Sequence, residues 1–116
     1  MPREQLYEFA LANMQRTVHV LAARVPPPQK VPYKTSFVYR YLEGLPEQAL
    51  VQKLARVVTT LQAATLLMQH GLVQEQGALQ RVIHEIHEDI TFLAYGLIFN
   101  DLTPLHKQYL DAFYEE

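Results

Sequence analysis

Hydrophobic positions recur along most of this chain at the period of an α-helix. From Arg3 to Arg24, Leu6, Ala10, Met14, Thr17 and Leu21 fall three or four residues apart, and Phe9, Asn13 and Val20 widen the stripe. The pattern predicts an amphipathic helix, stopped by Val25-Pro26-Pro27-Pro28, where proline removes a donor and pushes its predecessor out of the helical region. A second helix is predicted over Pro46–His70. Leu50, Leu54, Val57, Leu61, Ala64 and Met68 form its buried stripe, Val51, Val58 and Thr65 flank it, and Lys53, Arg56, Thr59 and Gln62 take the outer arc. Pro46 suits its first turn and Gly71 its left-handed cap.

The third helix, Leu72 to Phe99, carries a heptad-like seam of Leu72, Leu79, Ile83, Ile86, Ile90, Leu93 and Leu97. Ile83, Ile86, Ile90 and Leu93 are expected among the most buried residues. Up to Asp89 the other side of this helix is polar. Beyond it Phe92, Tyr95 and Ile98 stand off the seam, so the helix is apolar nearly all round, as in a central helix or one covered by a partner. Asn100-Asp101 ends it. Thr103-Pro104 starts a last helix, to about Tyr114, expected to bury Leu105, Tyr109 or Leu110, and Phe113.

Between the first two helices, Val25–Leu45 has no helical period. Its prolines predict an extended, polyproline-like start. Thr35-Ser36 then caps a short helix, Phe37–Glu43, ended by Gly44. The alternating Phe37, Tyr39 and Tyr41 also suit a strand, but no second strand stands out to pair with it, so the helical turn is preferred. The fold class expected is all-α: a four-helix up-and-down bundle in one domain, residues 1–116, with an irregular Pro/Tyr-rich excursion between helices one and two.

Composition narrows the chemistry. The 116 residues are 49% hydrophobic and 19% charged, which suits a folded domain rather than a disordered chain. There is no cysteine, so disulfides, thiol nucleophiles and thiolate metal sites are excluded. A net charge of −2 gives no overall basic field. Ser36 is the only serine, and the glycines are scattered, so neither a serine nucleophile nor a phosphate loop is expected. No segment is apolar for long enough to cross a membrane, and Met1–Gln5 lacks the apolar core of an export signal, so a cytoplasmic location is expected.

Three polar groupings remain. His84-Glu85-Ile86-His87-Glu88-Asp89 places imidazoles and carboxylates on one helix, as a metal-binding bundle does. Ligands from a facing helix are missing, so a solvated face with local ion pairs, and no metal or cofactor, is expected. Arg81 and Glu85, four apart, form a second possible pair. In Lys30–Tyr41, Lys30, Lys34 and Arg40 alternate with Tyr33, Phe37, Tyr39 and Tyr41 without an acid. That composition suits stacking on bases, but the aromatics are expected to fold back over the end of the bundle. His19, His70 and His106 stand apart near helix ends or outer faces, with no role assigned.

The stretch Gly71–Glu85 resembles the central helical hairpin of HEPN-like bundle proteins, a group that includes uncharacterised bacterial, abortive-infection-type members. Gly71, Leu79, Arg81 and Glu85 match the glycine, leucine, arginine and glutamate of that hairpin, and Gln76 replaces its usual small residue. HEPN ribonucleases carry an arginine, four to six intervening residues and a histidine, brought together across a dimer. The resemblance implies Arg81 and His87 as the catalytic pair of a dimeric ribonuclease, with histidine as acid or base and arginine on the phosphorane. The residues themselves point first to a non-catalytic module acting by homodimerisation or by binding a protein partner, with Phe92, Tyr95 and Ile98 at the contact. The ribonuclease, or a defence-related RNA-binding protein, is the alternative.

Overall fold

The computed structural model describes residues 3–115, with side chains from Gln5 onward; Met1 and Pro2, on which the export-signal expectation partly rests, lie outside the described residues. The chain is mostly helical. Its elements are α1 (Arg3–Ala22), β1 (Gln29–Tyr33), β2 (Ser36–Arg40), α2 (Pro46–Gln69), α3 (Val73–Ile98) and α4 (Pro104–Glu115). Among the described residues no helix is long and apolar enough to cross a membrane.

Helix α2 is the hub. It packs along α3, carries α1, and meets α4, which also touches α3; among the described residues α1 contacts no element but α2. The buried apolar side chains are accordingly those of α2 (Ala49, Val51, Val57, Val58, Ala64) and α3 (Ile86, Leu93). Ile83 and Ile90 are half-buried, and Leu72, placed on the seam by periodicity, is exposed ahead of α3. Both long helices end in a left-handed residue. Gly71 (φ 73°) donates to Met68 and Leu72 to Leu67; Asn100 (φ 50°) donates to Leu97 and Asp101 to Gly96. In each case the crossed pair satisfies carbonyls that the last turn would leave open.

The faces of two helices differ from the periodic stripes. On α1, Leu6, Phe9, Ala10, Thr17 and Val20 are exposed, whereas Tyr7, Leu11, Met14 and Val18 are half-buried. The helix is apolar over a wide arc and only one neighbour covers it. The Tyr7 hydroxyl, donating to the Leu61 carbonyl at 2.8 Å, ties the covered side to α2. On α2, Met68 is exposed and Leu61 only half-buried, because both line an open groove of about 760 Å³ between α1 and α3. Lys53 is not on an outer arc. Its ammonium pairs with Asp89 of α3 at 3.1 Å and lies 5.4 Å from the Phe113 ring centre of α4, at the junction of three helices. Leu105, expected in the core, is exposed, while Tyr109, Leu110 and Phe113 are half-buried.

The excursion is a β-hairpin, not an extended run followed by a helical turn. β1 and β2 pair antiparallel from Gln29↔Arg40 to Tyr33↔Ser36 across the two-residue loop Lys34-Thr35. Lys34 takes the positive φ (54°) that tight hairpin loops require. Pro32, read from the sequence as part of an extended, polyproline-like run, belongs to β1. It sits one residue from the closing pair, at a non-hydrogen-bonded position of a free edge, where the missing N–H takes no bond from the ladder. The all-α expectation is thus corrected by one small sheet.

Candidate functional site

The polar row on α3 is solvated. His84 and Glu88, both largely exposed, approach to 3.4 Å one turn apart. Arg81, Glu85 and His87 are exposed on the same helix. Arg81 and His87 are six residues apart, so an ideal helix turns them about 120° from each other. One chain does not bring them together. No three His, Asp or Glu side chains converge among the described residues.

The end of α3 has a different character. From Ile90 to Asn100 the sequence has no charged residue. Tyr95 is 64% exposed, Ile98 76% and Phe99 60%; Leu102 and Leu105 of the next turn are exposed as well. The Tyr95 and Phe99 rings touch, with centres 4.6 Å apart. Leu102 lies against Gly96, on the side of α3 that also meets His106. Phe92 does not belong to it. Its ring is half-buried, stacked 3.9 Å from His106 and met edge-on by Tyr109, so α4 covers it.

His106 is what holds α4 there, and it is buried rather than on an outer face. Thr103 caps α4, its hydroxyl accepting the His106 N–H at 3.3 Å. In return His106 Nδ1 accepts the Thr103 N–H at 3.1 Å. That amide fixes the tautomer: Nδ1 carries no proton, so Nε2–H donates to the Phe92 carbonyl at 2.9 Å. A Cβ on Gly96 would stand 2.7 Å from Nε2, so the ring packs where only glycine leaves space. The sequence signal was the Thr-x-x-His spacing, that of a capping box with histidine in the acceptor position.

Other buried polar groups surround the α2–α4 junction. Tyr109's hydroxyl is buried beside Lys53 and Asp89 without a hydrogen bond, and burial raises its pKa, with Lys53 opposing the rise. Tyr114 donates to the Leu45 carbonyl at 2.6 Å, and burial, helped by nearby Tyr41, pushes the phenol up to about 12. Gln48 donates to Glu43 at 2.7 Å and holds that carboxyl below its usual range.

No protein-family model, curated protein or solved structure matches this chain.

Proposed function

We propose that this protein is a non-catalytic helical module that acts by self-association, as a homodimer joined through the end of α3. The observation that carries this reading is the set of apolar side chains Tyr95, Ile98 and Phe99 at the end of α3, left in water by their own fold, with Leu102 and Leu105 exposed beyond them. Burying such side chains is favourable by about 25 cal/mol per Å². The α3 part of this surface carries no charge, and so no electrostatic code for a distinct partner. A second copy, presenting the same patch across a two-fold axis, matches it directly. In this reading the helices form an up-and-down bundle whose open end the partner closes, in the cytoplasm and without metal or cofactor.

Light scattering at micromolar concentration is expected to report twice the chain mass. Ile98→Asp, at the most exposed of these positions, is expected to shift it to monomer without loss of helicity. A monomer for the unmodified protein across that range overturns the reading.

The resemblance to HEPN-like proteins supports a second reading, a dimeric ribonuclease or RNA-binding protein. Arg81 and His87 are both exposed on α3, on sides that only a second chain can bring to one point. Cleavage of single-stranded RNA, abolished by Arg81→Ala and by His87→Ala, is its signature; the non-catalytic module shows none.

A further inference from the structure

Tyr33, Phe37 and Tyr39 of the β1–β2 hairpin stay exposed rather than covering the helices. In an antiparallel ribbon directly paired residues share a face, and successive residues alternate. Val31 and Val38 are therefore on one face, and both are half-buried. Lys30, Pro32, Phe37 and Tyr39 share the other, and all four are exposed. Tyr39 is 65% exposed although a two-stranded ribbon of this size could have hidden a valine there instead. The Phe37 and Tyr39 rings meet edge to face at 5.7 Å, and the Lys30 ammonium stands 3.9 Å over the Phe37 ring. At the turn, the Lys34 ammonium lies 5.3 Å from the Tyr33 ring. Tyr39 and Arg40 also line a cleft of about 440 Å³ with Gln52 of α2 and Phe113 and Tyr114 of α4.

Charge agrees with this arrangement. Between Glu8 and Glu43 the chain has no acidic residue, while Arg16, Arg24, Lys30, Lys34 and Arg40 are all basic. In a protein of net charge −2, this stretch of the sequence is thus free of acids, and Lys30, Lys34 and Arg40 lie in the hairpin itself.

We propose that the outward face of the hairpin binds single-stranded nucleic acid, with Phe37 and Tyr39 stacking on bases and Lys30 on that face and Lys34 at the turn holding the phosphates. Open rings two residues apart on a strand suit unpaired bases, whose π-faces are free; in a duplex they are stacked on one another. An anionic bilayer would also attract the cations, but there the rings would lead the insertion. Here the tip is the polar Lys34-Thr35-Ser36, and Phe37 and Tyr39 stand on the flat of the sheet. The proposal goes beyond self-association through α3 and uses neither Arg81 nor His87.

Fluorescence anisotropy with labelled oligo-U and oligo-dT of about twelve nucleotides tests it. Both are expected to bind at low salt, more tightly than a duplex of the same length. With two phosphates neutralised, by Lys30 and Lys34, log K is expected to fall against log salt with a slope of about −1.4. Tyr39→Ala is expected to weaken binding about 5- to 100-fold and Tyr39→Phe to retain it, because stacking needs the ring and not the hydroxyl. Lys34→Gln, at the turn, is expected to make the salt slope shallower by about 0.7. Arg81→Ala with His87→Ala is expected to change nothing here. Absence of binding at low salt, equal affinity of the alanine and phenylalanine variants, preference for duplex, or capture by phosphatidylserine vesicles without any oligonucleotide binding each overturns the proposal. Light scattering of Tyr39→Ala is expected to match the parent, which separates this result from the dimer's.

Discussion

At the start of α2, Gln48 accepts the Leu45 N–H at 3.1 Å and donates to the Pro26 carbonyl at 3.0 Å. At the start of α4, His106 accepts the Thr103 N–H and donates to the Phe92 carbonyl. Both are third residues of their helices, both follow a proline in the first position, and both are buried. An amide and an imidazole thus do the same work: one atom satisfies an open amide of the first turn, and another ties the helix start to a remote backbone carbonyl. The two starts differ in their caps and in their chemistry. Thr103 adds a hydroxyl cap that Leu45 cannot. An amide is always donor and acceptor, whereas a protonated imidazole has two donors and no acceptor for Thr103. The comparison teaches that helix orientation here is set by single buried polar side chains as much as by the apolar seam.

The largest effects are expected from removing either tie. Gln48→Ala and His106→Ala each leave buried backbone groups without partners, and each is expected to lower stability by about 2–4 kcal/mol in urea unfolding. If the ties are equivalent, His106→Gln recovers part of the loss, because glutamine at the third position makes the same reach-back bond. A glutamine variant no better than alanine would show that the Phe92 stack, not the cap, carries the histidine's contribution.

A smaller effect separates packing from capping. Gly96→Ala improves intrinsic helix propensity by about 1 kcal/mol, yet its methyl would meet the His106 ring. Overpacking of this kind is expected to dominate, with a net loss of about 1–2 kcal/mol. In the His106→Ala background only the contact with the end of the Leu102 side chain remains, so the same change is expected to cost less. Additive losses would mean that α4 does not sit on Gly96.

Much of this fold was legible because its strongest signals are local. The seam of α3, the glycine after α2 and the Thr-Pro start of α4 are each set within a few residues. The two ties were not legible, since their far ends, Pro26 and Phe92, are carbonyls that any residue supplies. The hairpin was hidden by Pro32, whose effect depends on which edge its nitrogen faces. The α1 stripe was legible as apolar, but which part of it is covered was not, because coverage depends on how many helices arrive, and among the described residues only α2 does. The patch at the end of α3 was legible in Tyr95 and Ile98. Phe92 was not, because its cover comes from His106, which looks isolated in the chain.

Alkaline pH sharpens the comparison at the α2 end, where Tyr114 donates to the carbonyl of the cap residue Leu45. Its pKa in the fold is about 12 against an ordinary 10.0, so the folded state holds this proton more tightly than the unfolded chain. The associated stability is present below about pH 10 and is lost as pH rises from there toward 12. Tyr109, also raised by burial, acts in the same direction. Urea midpoints measured through that window are expected to fall more steeply for the parent than for Tyr114→Phe. Parallel curves would mean that the Tyr114 proton is held no more tightly in the fold.

The smallest effect is expected at Tyr109, the buried polar group that neither tie nor cap satisfies. Its hydroxyl lies beside the Lys53–Asp89 pair but bonds to neither, while Lys53 and Asp89 are already engaged with each other at 3.1 Å. A buried hydroxyl without a partner loses its hydration and gains nothing in return. Tyr109→Phe keeps the ring that packs edge-on to Phe92 and removes only that oxygen. The variant is therefore expected to unfold within about 0.5 kcal/mol of the parent, on the stabilising side. That outcome stands against the losses at Gln48 and His106 and isolates the reason for them: a buried polar side chain supports this fold where both of its ends are bonded. A loss of more than about 1 kcal/mol would show that Tyr109 is bonded in solution, to Lys53 or Asp89, and that the α2–α3–α4 junction holds a third tie of the same kind.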